Sequence, residues 1–242
     1  MKWEETYNIK YYDTNTNDML GISNIFVLFQ ETAMRQMKSC KPSYEELFDE
    51  GKAFILSSMR VELYYPIYAY ENIKVKSWAD DNNKGFTTLR SYELHRDGEL
   101  IGEGLATWAL VSTNDKRLIR ISEVDLSNYE PEPALSLEKP VKVRIPREVV
   151  MSLVGEYTVR YTDIDINHHM NNSKYPDMLY NCLPKPENKI IKSFAISFAN
   201  EAKLGDNLKI YVAYTDGKYY MRSVLEDGRV NVEAEFETEN ID

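Results

Sequence analysis

Hydrophobic residues recur with helical spacing in one part of the chain and with strand spacing in others. Between residues 22 and 37 they fall on one face of a helix, at Ile22, Ile25, Phe26, Phe29, Ala33 and Met37. This spacing predicts a long helix with one buried face. A second, shorter helix is predicted from about Asn172 to Cys182, because Pro176 suits a first turn while Pro184 and Pro186 cannot continue a helix.

The period changes to two after each predicted helix. Alternating apolar positions indicate half-buried strands at Phe194, Ile196 and Phe198, and again at Leu208, Ile210 and Val212. Asp-Gly pairs at 97–98, 216–217 and 227–228 predict tight hairpin turns, because glycine tolerates the positive φ that such turns require. The polar run Asp80–Gly85 predicts one more hairpin loop. Both halves of the chain are therefore expected to contain antiparallel strands.

A degenerate internal repeat divides the chain. The segment Tyr11–Asn17, YYDTNTN, returns as Tyr161–Asn167, YTDIDIN, and each copy is followed by a predicted helix and then strands. This order predicts an α+β fold, a tandem (double) hot-dog in which each half packs a long helix on a curved antiparallel sheet. We place an N-terminal module at 1–127, an extended, proline-containing linker at 128–148 and a C-terminal module at 149–242. Modules that pair like the subunits of a dimer would leave a ligand cleft at their joint.

Composition narrows the range of functions. The net charge of −10 argues against nucleic-acid binding, which depends on a basic face. Cys40 and Cys182 form no disulfide framework or Cys-x-x-Cys motif, and the 3 histidines offer few further ligands, so we expect neither a metal site nor a cofactor. The sequence contains no apolar stretch of the ~18 to 20 residues that span a bilayer and no signal peptide, which predicts a cytoplasmic protein without membrane contact.

The densest polar chemistry lies just ahead of the second predicted helix, in the segment 165–172, DINHHMNN. Asp165, Asn167 and His169 share a face if this segment is extended, and Asp165 and His169 remain neighbours at four-residue spacing if it is helical. Either geometry lets a carboxylate orient an imidazole. Asn171 or Asn172 could cap the helix, whose free backbone N–H groups would then stabilise a carbonyl oxygen gaining negative charge.

This segment resembles the signature of acyl-acyl-carrier-protein thioesterases, Asp-x-Asn-x-His-Val-Asn-Asn-x-x-Tyr, which here reads DINHHMNNSKY from Asp165 to Tyr175. The family's further catalytic Glu lies in a strand after the second helix, and in FANEA, residues 198–202, Glu201 takes its place. Cysteine often follows that Glu in the family. This chain has Ala202 instead, which excludes a thiol nucleophile at that position. A weaker likeness covers GLATWA at 104–109 and KRLIR at 116–120 in the first half.

The resemblance implies hydrolysis of fatty acyl-acyl-carrier-protein thioesters by activated water, a reaction of fatty acid biosynthesis. Glu201 is expected to act as the general base and Asn167 to hold the water. His169 would polarise the carbonyl or protonate the leaving thiolate, with Asp165 orienting its ring. Asp165 and Glu201 could also exchange roles. The helix N-terminus at Asn171 and Asn172 would contact the substrate oxyanion.

The same resemblance implies a partner, an acyl carrier protein that presents its acyl chain on phosphopantetheine. In the first copy of the repeat Met19 stands where the second copy has His169, so the N-terminal module is expected to shape the acyl pocket rather than perform chemistry. Three alternatives stay open: an acyl-coenzyme A thioesterase, a non-catalytic acyl-binding protein and a hot-dog dehydratase, which only product analysis would separate. The duplication allows either a monomer or a homodimer.

Overall fold

The computed structural model describes residues 1–82 and 85–241, which form one antiparallel sheet with helices on one of its faces. The strands are β1 (Trp3–Asn8), β2 (Lys52–Leu63), β3 (Asn72–Ala79), β4 (Thr87–Arg96), β5 (Glu99–Ser112), β6 (Ser152–Thr158), β7 (Lys189–Phe198), β8 (Asn207–Thr215), β9 (Lys218–Val224) and β10 (Val230–Asn240). The helices are α1 (Ile22–Ser39), α2 (Tyr44–Asp49) and α3 (Tyr175–Tyr180). Residues 83 and 84 of the predicted Asp80–Gly85 loop lie outside the described residues.

The order of the strands reveals the internal duplication. Across the sheet they run β1-β3-β4-β5-β2-β7-β10-β9-β8-β6, so the second half repeats the order of the first in the opposite direction. The halves meet where β2 pairs antiparallel with β7, with Met59 opposite Ile196. This is the layout expected of two hot-dog modules joined as a pseudo-dimer.

A buried ion-pair network crosses the junction of the halves. Arg60 on β2 is 1% exposed, donates to Ser193 Oγ of β7 at 2.9 Å and pairs with Glu235 of β10. Glu62 lies 3.3 Å from the same guanidinium. Because a buried charge is costly unless it is paired, these two carboxylates are what permit an arginine at the centre of the sheet.

Residues 130–148 cross the opposite face of the sheet from α1 without forming a named helix or strand. Their backbone is held by side chains that point away from α1, namely those of Trp78, Ser91, Arg60 and Ser197. The Trp78 indole N–H, for example, donates to the Pro133 carbonyl at 3.0 Å. The backbone of this segment thus forms hydrogen bonds with polar side chains on strands of both halves.

The predicted helices and hairpins are found, with one difference in length. Helix α1 buries Ile22, Ile25, Phe26, Phe29 and Ala33, as its spacing predicts. The second half has the shorter helical segment that its prolines predict: a 3-10 turn at Asn172–Lys174 is followed by the six residues of α3, which ends two residues before the expected Cys182. Pro176 opens α3, and a turn at 181–183 followed by Pro184 prevents its extension. No helix of the described residues is long and apolar enough to cross a bilayer.

The hairpin turns follow from their Asp-Gly pairs. Asp97 and Gly98 have φ of 51° and 87° between β4 and β5, and Asp216 and Gly217 have 53° and 77° between β8 and β9. Two successive positive φ values match the twist of antiparallel strands. Gly228, at φ 85°, lies between β9 and β10.

Candidate active site

The sequence left open whether the segment from Asp165 to His169 is extended or helical. In the structure it is neither, because the segment forms a tight turn. Asp165 N donates to the His169 carbonyl at 3.1 Å, and the Asp165 carboxylate accepts from Asn167 N at 2.8 Å. His168 occupies the turn with φ 65°, and its side chain is exposed. The hydrogen bonds of the turn, rather than a helical or strand repeat, bring Asp165 and His169 side by side.

The first copy of the repeat folds into the same turn without the titratable groups. Asn15 N donates to the Met19 carbonyl at 2.8 Å, as Asp165 does to His169. The backbone after each turn then docks on a loop, where Leu20 N donates to Ile67 O and Met170 N to Ala202 O. Neutral residues therefore occupy the positions equivalent to Asp165, His169 and Glu201, namely Asn15, Met19 and Pro66.

His169 lies between two carboxylates. Its Nε2 is 3.4 Å from Glu201 Oε1, and its Nδ1 is 3.9 Å from Asp165 Oδ1. The side chains of His169 and Asp165 are 25% and 21% exposed, whereas that of Glu201 is 49% exposed. The fold thus joins two groups that are distant in sequence, with the imidazole in position to pass a proton between acids or to polarise a bound group.

The loop after β7, which carries Glu201, is held by a residue that the sequence did not identify. Buried Asn231 donates from Nδ2 to the Asn200 carbonyl at 2.5 Å and to Tyr175 Oη at 3.1 Å. The Asn231 carbonyl also accepts from Asn200 N at 3.1 Å. Asn231 sits at a bulge where β10 loses register with β9, and such a bulge can turn a side chain toward a site. In sequence it is only one polar residue between two valines, which is the pattern of an ordinary solvent-facing strand position.

The short helical segment begins beside the turn. Asn171 caps it, because its Oδ1 accepts from Ser173 N at 2.9 Å, and Asn171 N donates to the Asp163 carbonyl at 2.8 Å. Tyr175, which closes the signature, is buried, and burial raises its pKa to about 12. Its phenol therefore stays protonated at neutral pH and fixes the helix against the Glu201 loop through Asn231.

A cavity of about 180 Å³ opens beside the turn. Asp165, Asn167, Asn171 and Asn172 line one end of it. The rest of the lining comes from the N-terminal half, with apolar side chains of α1 above and of β2, β4 and β5 below, among them Phe26, Ala33, Met37, Leu56 and Met59. His169 and Glu201 are not part of this lining; His169 adjoins it through Asp165, and Glu201 adjoins His169. The site therefore combines a polar end from one half with an apolar chamber from the other.

Neither cysteine offers an alternative nucleophile in this site. Cys182 is partly buried, burial raises the pKa of its thiol, and its Sγ contacts the Met178 carbonyl at 3.6 Å. A thiol with a raised pKa is a poor nucleophile at neutral pH. Within residues 1–82 and 85–241 no group of three or more metal-ligating side chains comes together.

Comparison with known proteins agrees with this architecture. Family models match residues 1–129, as the acyl-ACP thioesterase N-terminal domain, and 147–239, as the acyl-ACP thioesterase C-terminal domain. Among curated proteins, the chloroplastic palmitoyl-acyl carrier protein thioesterase of Arabidopsis thaliana is 23% identical over 88% of this chain, and the chloroplastic oleoyl-acyl carrier protein thioesterase 2 of the same plant is 22% identical over 84%. The matches cover 55% and 60% of those relatives, so the chain spans little more than half of their length.

Solved structures confirm the double hot-dog fold. An acyl-ACP thioesterase from Bacteroides thetaiotaomicron superposes with a TM-score of 0.87 at 20% identity, covering 98% of this chain and 97% of that one. The 12:0-ACP thioesterase from Umbellularia californica gives 0.84 at 17% identity, with 99% and 97% covered. Because the two family models together cover most of the sequence, the chain belongs to the acyl-ACP thioesterase family.

Proposed function

We propose that this protein hydrolyses fatty acyl-acyl-carrier-protein thioesters to free fatty acid and carrier thiol. The observation that carries the proposal is the His169 imidazole between Glu201 and Asp165, at 3.4 and 3.9 Å, beside an apolar cavity. A thioester carbonyl is reactive enough for an oriented water, a base and hydrogen-bond donors to suffice. Ala202 at the position where relatives often have cysteine also favours direct attack by water.

In this mechanism Glu201 removes a proton from a water held by Asn167, and the hydroxide adds to the carbonyl carbon. The carbon–sulfur bond of the tetrahedral intermediate then breaks, and the proton passes through His169 to the leaving thiolate. Asp165 keeps the ring in place, because its carboxylate faces Nδ1. The separation of 3.4 Å at Nε2 is longer than a strong hydrogen bond, and such contacts often shorten when substrate binds.

Asp165 could serve as the base instead, with Glu201 orienting the ring. Two features favour Glu201: its greater exposure to solvent, from which the water must come, and the occupation of an Asp165 oxygen by Asn167 N. Asn171 and Asn172, which line the same end of the cavity, would stabilise the oxyanion. With so short a helix, amide side chains contribute more to this than the helix dipole.

We assign the two halves different tasks. Residues 1–127 form the acyl chamber, residues 149–242 carry the chemistry, and 128–148 join them, which agrees with the cavity lining. The partner would be an acyl carrier protein whose phosphopantetheine arm delivers the thioester beside Asn167. We infer a cytoplasmic monomer or homodimer, although the curated plant relatives are chloroplastic.

Two neighbouring histidines provide a matched test. His169→Asn should reduce kcat for acyl-ACP hydrolysis by about 10² or more, whereas His168→Asn should leave it unchanged, because asparagine tolerates the positive φ at that position. Thiol release from acyl carrier proteins of graded chain length is the measurement, with circular dichroism to confirm folding. Glu201→Gln and Asp165→Asn, compared over a range of pH, show which of the two carboxylates is the general base. Only loss of the base abolishes the acidic limb of the pH–rate profile.

If kcat falls equally in both histidine variants, or falls in neither, His169 does not have the role assigned to it. Two of the alternatives give different results in the same assay. A coenzyme A enzyme would turn over acyl-coenzyme A faster than acyl-ACP at equal concentration. A binding protein would retain a labelled acyl chain and release no thiol.

A further inference from the structure

Exposed tyrosines lie together at one end of the N-terminal half. They belong to two segments, the turn after β1 and the loop between β2 and β3, and are Tyr11, Tyr12, Tyr65, Tyr68 and Tyr70. The backbone holds these segments against each other, because Tyr70 N donates to Ile9 O at 2.8 Å and Met19 forms a β-bridge with Tyr68. We call these five side chains the tyrosine surface.

The second half shows that the fold does not require tyrosines in this loop. The loop at 64–71, YYPIYAYE, and the loop at 199–206, ANEAKLGD, have the same length and follow the equivalent strands β2 and β7. Where the first loop has tyrosine, the second has small or polar residues, namely Ala199, Asn200, Lys203 and Gly205. The exposed aromatic rings are therefore specific to the first loop.

Tyr70 occupies a backbone conformation that disfavours a large side chain. Its φ is 66°, and the equivalent Gly205 has a φ of 88°. Glycine adopts this left-handed region without strain, whereas a bulky residue rarely does. The Tyr70 side chain is 71% exposed, so packing within the chain does little to offset the strain. A tyrosine kept at such a position indicates a contact outside the chain.

The tyrosine surface is large enough for a specific protein contact. Its members are 39% to 83% exposed, and together they expose as much area as about three fully exposed tyrosines. At about 200 Å² for each ring, this is about 600 Å² per chain. Two chains that meet through the same rings would bury about 1,200 Å², which reaches the range of stable protein interfaces.

The charges around the tyrosine surface favour a second copy of this chain as the partner. Arg96, beside the loop, is paired with Glu71 at 2.9 Å, and the Asp13 carboxylate accepts a hydrogen bond from Lys10 N. An acidic protein or an anionic membrane would instead require unpaired cations. Aromatic rings flanked by matched charges suit the contact of two chains that each carry a net charge of −10.

We propose that two copies of this chain form a two-fold dimer through the tyrosine surface. The rings of one chain would pack against the same rings of the other in offset or edge-on pairs. Because β2 and β7 are antiparallel neighbours, the loops that follow them lie at opposite ends of the strands. The dimer therefore leaves the Glu201 loop of each chain open, and it does not depend on the reaction catalysed there.

Sedimentation equilibrium of the full chain over a range of concentrations tests the proposal. Wild type should approach twice the 28.2 kDa of one chain. Tyr70→Gly should raise the dissociation constant at least about 10-fold, and Tyr68→Ser combined with Tyr70→Gly at least about 100-fold. Both variants should stay folded by circular dichroism, because glycine suits the positive φ at residue 70. Their kcat for acyl-ACP hydrolysis should equal that of wild type.

Two control variants remove exposed apolar side chains from the far edge of the sheet. Tyr214→Ser on β8 and Leu153→Ser on β6 should leave the dissociation constant unchanged. Wild type that keeps the mass of one chain at every concentration, tyrosine variants that remain dimeric, or dissociation caused by a control variant overturns the proposal. A monomeric wild type that sediments with phosphatidylglycerol vesicles, while Tyr68→Ser/Tyr70→Gly does not, would assign the surface to a lipid instead.

Discussion

Asn231 offers the sharpest test of how the candidate site is held together. Replacing it with leucine keeps the branched shape of the side chain and removes three side-chain hydrogen bonds, with Asn200 O, Tyr175 Oη and Ser223 Oγ. The side chain is fully buried, so its partners would be left without replacements. At about 1 kcal/mol for each bond, the free energy of unfolding should fall by about 3 kcal/mol. For a protein of this size that lowers Tm by about 6 to 12 °C.

The same substitution should impair catalysis, because Asn200 immediately precedes Glu201. Displacement of that carboxylate from His169 by about 1 Å should lower kcat by about 10-fold or more, with a smaller change in KM, since the acyl chamber is untouched. Thermal unfolding and thiol-release kinetics measure the two effects. Asn8→Ala, which removes hydrogen bonds on an exposed edge, is the control. An Asn231→Leu protein with wild-type Tm and kcat would refute the assigned role of Asn231.

Three further predictions concern the core. Gly104→Ala should lower the free energy of unfolding, measured with urea, by about 1 to 3 kcal/mol, because the added Cβ would meet the Phe29 ring at 2.4 Å. An unchanged unfolding midpoint contradicts this packing. Arg60→Met should lower the free energy of unfolding by about 3 to 5 kcal/mol, because Glu235 is left buried without its partner. Adding Glu235→Leu should restore most of that loss. A double variant no more stable than the single one contradicts the pairing. Burial raises the pKa of Tyr175 from 10.0 to about 12, so the protonated phenol stabilises the fold fully below pH ~10 and this contribution is lost as the pH rises to ~12. In urea unfolding at a series of pH values, Tyr175→Phe should therefore flatten the alkaline decline of the free energy of unfolding. An unaltered decline in that variant refutes the prediction.

The sequence alone determined the elements that depend on local pattern. The apolar spacing of α1, the Asp-Gly turns and the repeated Tyr-x-Asp segment each follow from steric and hydrophobic rules that act over a few residues. The duplication also revealed that only one copy carries a histidine, at His169 rather than at Met19. The signature around Asp165 pointed to the site because all but one of its members lie in one short segment.

Tertiary structure decided what depends on long-range pairing. The approach of Glu201 to His169 and the burial of Asn231 at a bulge are set by which strands lie side by side. Asn231, taken in sequence, is an ordinary polar position in a strand, and nothing in the local pattern shows how closely Glu201 approaches His169. Periodicity assigns a side chain to a face of its own element but says nothing about what covers that face, and it is the covering element that gives these side chains their chemistry.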